Sequence, residues 1–434
     1  MKIAIIGAGA SGLMAAIRAA EGGAERVWLF EKNTLPGRKL LITGNGRCNV
    51  TNTTEIRAYP EHYFGNGKFL YKALNAFSPH DLMEFFKTQG VKLKEEDGRV
   101  FPASDKAQDI LDKLFARADE LGVAFHENEP VVDFRRDNDG RITKVVTLRT
   151  SYDVDACVLC VGGSSYSGTG STGDGYLLAA RLGHTIVPIR PALSPIDTDP
   201  KEVAALQGVS IRDVRVHAFL GKNEIASLDG DVLFTHFGLT GPAILGLSRF
   251  LPTDENLYER NQVSISIDLW PSVSQDAARI QMIALLAENQ NRKLSNVLKI
   301  YGPESLISLL LARVNIPEDI FCHELKKDLR DHLTLLIKNF SFIVSRAPSF
   351  SKAMVTAGGV SLKEVDPKTM QSKLIPGLYF AGEVLDVDGD TGGYNLQAAF
   401  STGYVAGTSA VAAVREAALK GQENIGQVEE NKNE

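Results

Sequence analysis

Four cysteines in 434 residues are too few for a disulfide framework, and this scarcity points to a reducing, cytoplasmic setting. Two of them, Cys157 and Cys160, form a C-x-x-C, but no second pair exists to complete a zinc site, so no metal is expected. They lie in the apolar run ACVLCVGG, where strand alternation puts them on opposite faces as buried side chains. Long apolar runs are also missing: none reaches the roughly 18 residues that a membrane span needs. The apolar start, Met1 to Ala20, is broken by Gly7, Gly9 and Gly12 and carries Arg18, which excludes a signal peptide. Positive charge is not in excess. With 47 basic and 53 acidic residues the net charge is −6, so no nucleic-acid partner is expected. There is no internal repeat, and the only biased segment is the polar tail after Lys420, expected to be disordered over 421–434.

What is present is the composition of a globular protein, 44% hydrophobic and 23% charged, in a chain long enough for two or three domains. Lys2 to Ile6 reads as a buried strand, Gly7 to Gly12 as a loop, Leu13 to Glu21 as a helix and Val27 to Phe30 as a second strand. Helical patterns follow at 79–89 and 107–121. A β-rich stretch runs from Val123 to Val161 with a turn at Asn138-Asp139-Gly140, and 176–183 is again helical. From about residue 190 the character changes. Short β-type runs fill 191–270, helical periodicity fills 271–331, and strand character returns near Phe340–Val344. A last strand, Gly377–Ala381, leads to a long helix from about Asn395 to Lys420. The expected fold is α/β: a Rossmann-type three-layer nucleotide domain split between 1–190 and 350–434, with a β-plus-helical insertion at 191–349.

The segment Gly7-Ala8-Gly9-Ala10-Ser11-Gly12 matches G-x-G-x-x-G in the setting that gives the pattern meaning, after a strand and at the start of a helix. Its first glycine permits a tight turn, its second lets backbone approach a pyrophosphate, and its third lets helix and strand pack closely. The helix start offers N–H groups and a positive dipole end to the anion. Glu31 follows 19 residues after Gly12, where a carboxylate can accept both ribose hydroxyls and disfavours a 2′-phosphate. At the other end of the chain, GLYFAGE (Gly377 to Glu383) runs into a glycine-rich loop and a helix rich in small residues, Asp386 to Gly407. A helix N-terminus there suits the negative charge that appears on the pyrimidine end of a flavin on reduction; a strand–loop–helix that only completes the sheet is the other reading.

Together GAGASG, LLITGNGRCNVTN, GDVLFTHFGLTGPAIL, VTAGGV and GLYFAGEVLDVDGDTGGYNLQAAFSTG resemble the BaiN-like, aminoacetone-oxidase-like flavoproteins of the glutathione-reductase-type FAD fold. The resemblance spans Met1 to about Gly407 and implies non-covalent FAD. It lays the loop Ile42 to Asn52 along the pyrophosphate and flavin ring, with Thr43, Gly44, Asn45, Gly46, Arg47, Cys48 and Asn49 in contact. It extends the cofactor set to Lys32, Gly37, Arg38, Lys39, Val131, Gly162 and Gly163, and from the C-terminal segment to Gly382, Glu383, Asp388, Gly392, Gly393, Asn395 and Leu396. Disulfide reductases of this superfamily place two cysteines five positions apart beside the flavin. Here the fifth residue after Cys48 is Thr53, so a dithiol relay is absent.

A second formal match, GTGSTG (Gly168 to Gly173), lacks the preceding strand and the acid-terminated strand after it, and reads as a loop leading into the next helix. His236, in FTHFGLTGP, stands before a helix start marked by Thr240 and Pro242. It is a candidate proton donor or acceptor facing the flavin, or else a cap or core residue. The expected function is FAD-dependent redox chemistry on a small molecule bound between insertion and flavin. The leading form is reduction of a conjugated C=C bond, with NAD(P)H as a transient electron donor; an amine-type oxidase using oxygen competes. The rival class is a flavin-containing tRNA-modification or RNA-binding protein.

Overall fold

The computed structural model describes the backbone of residues 1–430 and the side chains of 1–419. It divides into two compact units, Met1–Arg190 with Val355–Glu434, and Pro191–Met354. Each has its own hydrophobic core.

The first unit is built on five parallel strands: β1 (Lys2–Ile6), β2 (Arg26–Phe30), β3 (Ala124–His126), β4 (Ala156–Leu159) and β5 (Leu378–Phe380). Their order is β5-β4-β1-β2-β3, so the chain reverses its direction of travel across the sheet at β1. In such sheets the crevice beyond the strands' carboxyl ends at the reversal is where nucleotides bind. Strands β1 and β4 are apolar at nearly every position because both faces are covered. One face carries helices α1 (Ala10–Glu21) and α2 (Tyr394–Glu430). A Cβ on Gly403 or Gly407 would sit 2.3 Å from the carbonyl oxygen of Ser11 or Ala15, so the small residues of α2 are what let it lie directly on α1. The other face is covered by a three-stranded antiparallel meander (Val131–Arg136, Ile142–Thr147, Ser151–Asp153). Its Tyr152 packs edge-on against Phe30 and Trp28 of β2 at 4.9 and 5.5 Å. The three layers are those of the Rossmann-type α/β fold expected from the sequence.

Helix α1 begins at Ala10, ahead of the expected Leu13, because Gly9 already serves as its N-cap. Helix α2 extends to Glu430. The disorder expected over 421–434 falls on residues whose side chains, and for 431–434 whose backbone, lie outside the described residues.

The second unit is a six-stranded antiparallel sheet centred on two long strands, Ser210–Leu220 and Asn223–Phe234, joined by a tight hairpin. Helices Gln275–Glu288, Glu304–Arg313 and Lys327–Lys338 accompany it, the last running past residue 331, where helical periodicity was expected to give way to strand. Among the described residues no helix is long and apolar enough to cross a membrane.

Candidate nucleotide and redox site

The loops that leave the carboxyl ends of β1, β2, β4 and β5 converge in the first unit. At β1, a Cβ on Gly12 would lie 1.8 Å from the Gly7 carbonyl oxygen, and one on Gly7 would lie 2.6 Å from that of Cys160. These two glycines are therefore required by close packing of α1 on β1 and β4. Gly9 differs: a Cβ there meets nothing within 4 Å. Its outer face is open, and α1 carries no side-chain cap. An uncapped 12-residue helix start behind an open glycine is a receptor for an anion such as a pyrophosphate.

Glu31, just past β2, accepts from the Ala8 N–H at 3.0 Å and from Asn33 through its backbone (2.9 Å) and its side chain (2.6 Å). The carboxylate is thus locked beside the glycine loop with lone pairs left for hydroxyl donors. Behind it, the Glu31 carbonyl accepts from the Glu129 N–H, and Glu129 is almost fully buried. Burial pushes the Glu129 carboxyl up, but hydrogen bonds from Thr147, Tyr152 and His126 outweigh it and hold the group below its usual range. Val131 lies just beyond, half-buried in the meander.

The two chain ends meet here. A Cβ on Gly382, which follows β5, would sit 2.5 Å from the Ser11 hydroxyl, and the Gly382 N–H donates to Thr402 of α2. Lys39 Nζ lies 2.6 Å from Glu383 Oε2 and donates to Ser165 Oγ at 2.7 Å. The other Glu383 oxygen accepts from Ser165 Oγ (3.0 Å) and the Thr356 N–H (2.8 Å). Thr356 Oγ1 in turn accepts from the N–H groups of Ser164 and Ser165, next to Gly162 and Gly163. Sequence reasoning picked Lys39, Gly162, Gly163 and Glu383 but missed Ser165 and Thr356. The signal was there in VTAGGV, a motif noticed without a residue being chosen from it.

The loop after Ile42 has Gly44 and Asn45 both left-handed, followed by Cys48 at φ 58°. Cys48 is buried and its thiol is pushed up to about 12 by desolvation, so it is an inert packing residue. The Asn49 Oδ1 atom is buried without a hydrogen-bond partner in the protein, an acceptor left for a bound donor. Thr51 and Asn52 continue the loop to the start of α2. Asn52 Nδ2 donates to the Gly392 carbonyl at 2.9 Å, and a Cβ on Gly393 would lie 2.4 Å from the Thr51 carbonyl. The first α2 bond closes from Gln397 to Gly393, which leaves the N–H groups of Tyr394, Asn395 and Leu396 ahead of the ladder. The Asn395 side chain holds the loop before it through Gly389 and Asp390, and Asp388 is buried alongside.

Three expectations are modified. Arg47, expected among the donors of the loop along the cofactor, has its guanidinium bound to Glu96 (2.6 and 2.7 Å) and Asp105 (2.6 Å), 4.1 Å from the Phe101 ring centre. Those acids lie about 50 residues away in sequence, beyond the reach of a local motif. In the second unit, Gly241 and not Thr240 caps the helix Pro242–Ser248, since Thr240 is the last residue of a short strand. His236 is exposed, with the Phe237 ring edge-on at 5.0 Å, so the core reading does not describe it, and Gly241 takes the cap position.

The loop Gly168–Gly173 lies against the end of β2. Lys32 Nζ reaches Thr172 and Asp174, Arg38 donates to the Gly168 carbonyl at 2.9 Å and to Asn33 at 3.1 Å, and a Cβ on Gly170 would sit 2.3 Å from Asn33. Gly37, left-handed at φ 63°, starts the turn that delivers Arg38 and Lys39. The loop is thus packed on the end of β2 through Gly170, with Gly168 left open.

Residues 1–409 match the family model described as the HI0933-like protein Rossmann domain. The chain belongs to that family. It is 33% identical over 410 residues to the 3-dehydro-bile acid delta(4,6)-reductase of Clostridium scindens, covering 94% of this chain and 98% of that protein. It is 31% identical over 412 residues to a ribosomal RNA dihydrouridine synthase of Haemophilus influenzae, covering 93% and 97%. Among solved structures, 3-ketosteroid delta1-dehydrogenase from Sterolibacterium denitrificans shares the fold at a TM-score of 0.51, with 12% identity over 95% of this chain and 99% of that one. The HI0933-like chain is an oxidoreductase, as its sequence led one to expect. Two relatives carry names for ribosomal RNA, so similarity alone does not decide the expectation of no nucleic-acid partner.

Proposed function

We propose that this HI0933-like protein is a FAD-dependent reductase of a carbon–carbon double bond conjugated to a carbonyl. The observation that carries this reading is the meeting of the two chain ends, Gly382 against Ser11 and Glu383 against Lys39, around an open helix start. A single nucleotide is served by the β1 crevice; the second cradle, at Gly392–Gly393 and the α2 N-terminus, suits a flavin ring and not a second nucleotide. Gly7, Gly9, Ala10, Ser11 and Gly12 would hold the pyrophosphate and Glu31 the ribose. Asn49 would supply an acceptor along the ring, and the free N–H groups of α2 would face the charge that builds on it. FAD, when bound, supplies two-electron hydride chemistry. The chain's own part is to bind and orient, and to stabilise negative charge.

The printed names of the relatives converge on one reaction type. A delta(4,6)-reductase acting on a 3-oxo compound and a dihydrouridine synthase both add two hydrogens across a C=C bond conjugated to a carbonyl. Between a free small molecule and a uridine in RNA, the net charge of −6 favours the small molecule, because RNA affinity is built on basic surface. The relatives named for ribosomal RNA keep the second reading in play. A reduced nicotinamide is the proposed donor, docking transiently.

Purified protein should be yellow and release intact FAD on acid denaturation. Under anaerobic conditions NADH or NADPH should bleach the flavin, and 2-cyclohexen-1-one should restore its absorbance. A folded, colourless protein that FAD cannot reconstitute would sink the proposal. Recovery of absorbance with uridine-containing ribosomal RNA fragments, salt-sensitive and absent with the enone, would transfer it to the RNA reading.

A further inference from the structure

Reduction of a conjugated C=C bond needs a proton as well as a hydride, and the first unit contains an imidazole arranged to give one. His62 stacks on Tyr394, the first residue of α2, with ring centres 4.0 Å apart and planes 14° from parallel. Its Nδ1 lies 3.0 Å from Asp390 Oδ2, and the Asp390 N–H donates back to the His62 carbonyl at 2.8 Å. Tyr394 is itself pinned, its hydroxyl to Thr54 at 2.7 Å and its carbonyl to the Tyr63 hydroxyl at 2.8 Å. One ring face and one ring nitrogen are therefore fixed. The side chain stays one-third exposed, and among the described residues Nε2 has no protein partner. A base oriented by a carboxylate, with its other nitrogen open, is the arrangement used for proton transfer. Tyr394 directly follows Gly392 and Gly393, the helix start assigned above to the flavin ring.

We infer that His62 is the proton donor of the reaction and Asp390 its positioning residue. This rests on the reading of the chain as a conjugated C=C reductase. FAD, when bound and reduced by a nicotinamide, would supply the hydride for the new C–H bond at the β-carbon of the C=C–C=O unit. The π pair moves onto the α-carbon and carbonyl oxygen, and the imidazolium Nε2–H bond breaks as its proton forms the α C–H bond. Water then reprotonates the imidazole. Asp390 accepts from Nδ1–H, which fixes the ring's orientation and leaves Nε2 directed away from the carboxylate.

Two variants test this, His62→Gln, which keeps a donor for Asp390, and Asp390→Asn, which keeps the stacked imidazole. In FAD-loaded, NADPH-reduced protein, the rate of reoxidation by 2-cyclohexen-1-one should fall about 100-fold in His62→Gln. Reoxidation by oxygen, which needs no carbon protonation, should be unchanged. Proton NMR should show a hydrogen-bonded imidazole Nδ1–H resonance that is missing from His62→Gln and exchanges faster with water in Asp390→Asn. That readout does not depend on turnover. If wild-type protein is reduced but transfers nothing to the enone, the functional reading falls and takes this inference with it. If wild type and His62→Gln reoxidise equally fast, the inference alone is overturned. Loss of FAD in both variants, or an Nδ1–H signal whose exchange is unmoved by Asp390→Asn, would also overturn it, by making the pair part of the scaffold.

Discussion

The two units answer the same problem, how to end a strand, in opposite ways, and the difference decides where chemistry can sit. In the first unit the five strands run parallel, so four of their carboxyl ends release loops on one side, and those loops must meet. Gly7, Glu31, Gly162 and Gly382 are thereby gathered from positions far apart in the chain. In the second unit the long strands are antiparallel and turn back at once, Leu220 facing Asn223 across the hairpin. Two of its ion pairs lie within the sheet region itself: Lys338 is buried against Asp268 at 2.6 Å and the carbonyls of Trp270 and Val273, and Arg215 is paired with Asp229 across the hairpin. A parallel sheet creates a crevice as a by-product of its connectivity, and an antiparallel one does not.

The sharpest test of that contrast uses one glycine from each unit. Gly12→Ala forces a Cβ to 1.8 Å from the Gly7 carbonyl and should abolish FAD retention, weakening it well over 100-fold. Gly241→Ala places a Cβ 2.6 Å from the Asp231 carbonyl at a φ of 104° and should destabilise the second unit by about 1–3 kcal/mol while FAD stays bound. The protein has two tryptophans, Trp28 in the first unit and Trp270 in the second, so fluorescence of Trp28→Phe and Trp270→Phe backgrounds reads each unit alone. Loss of FAD in Gly241→Ala would break the comparison. Gly9→Ala is the control within the site: its Cβ meets no protein atom, so stability should be kept and only FAD affinity should fall.

Next in size is Glu31→Ala. Loss of charge-assisted hydrogen bonds to ribose should weaken FAD by roughly 1.5–3 kcal/mol, about 10- to 150-fold, measured by equilibrium dialysis. Because Glu31 also accepts from Ala8 and Asn33, Glu31→Gln should recover part of the fold but little of the affinity. Equal FAD affinity in Glu31→Ala and wild type would remove the ribose role.

What could be read without coordinates follows the same division. The glycine loop, its flanking strands and Glu31 are local in sequence, and all fall where the spacing put them. The alternation that made Cys157 and Cys160 packing residues holds too, since both are buried and free. Illegible were the pairs joined across the fold. His62 and Asp390 are 328 residues apart, and Lys39 and Glu383 are 344 apart. The ion pairs of Arg47 were illegible for the same reason, because the acids that hold it belong to other elements. No periodicity signals that a histidine in the 59–66 segment will stack on the first residue of a helix near the other end.

A smaller effect concerns pH. His184 is buried in the first unit between Ser372 (2.9 Å), Glu364 (3.2 Å) and the Phe380 ring (4.8 Å). Burial lowers its proton affinity more than Glu364 raises it. A histidine with a depressed folded pKa is neutral in the native state while the unfolded chain takes up a proton. Stability is therefore fully present above the ordinary value of 6.5 and declines as pH falls below it. Glu364, held low mainly by Thr185 against the pull of burial, adds a further loss as pH falls through 4.5. Urea midpoints read at Trp28 should drop between pH 8 and 5.5, and His184→Asn should flatten that slope. An identical slope in the variant would assign the dependence elsewhere.

The smallest expected effect is the most discriminating. His236 and His62 are both exposed enough to reach a ligand, but only His62 has a carboxylate on one nitrogen and an aromatic platform beneath its ring. His236 has the Phe237 ring at 5.0 Å and, among the described residues, no carboxylate paired with either ring nitrogen. An unoriented imidazole spends its rotamer entropy at each turnover, and proton transfer needs the donor placed to within hydrogen-bond reach. His236→Ala should therefore change reoxidation by an enone by less than about 2-fold, against the roughly 100-fold expected of His62→Gln. The reverse result, with His236→Ala slow and His62→Gln fast, would place proton transfer on the antiparallel unit. It would show that the parallel sheet supplies the cofactor while the insertion supplies the acid.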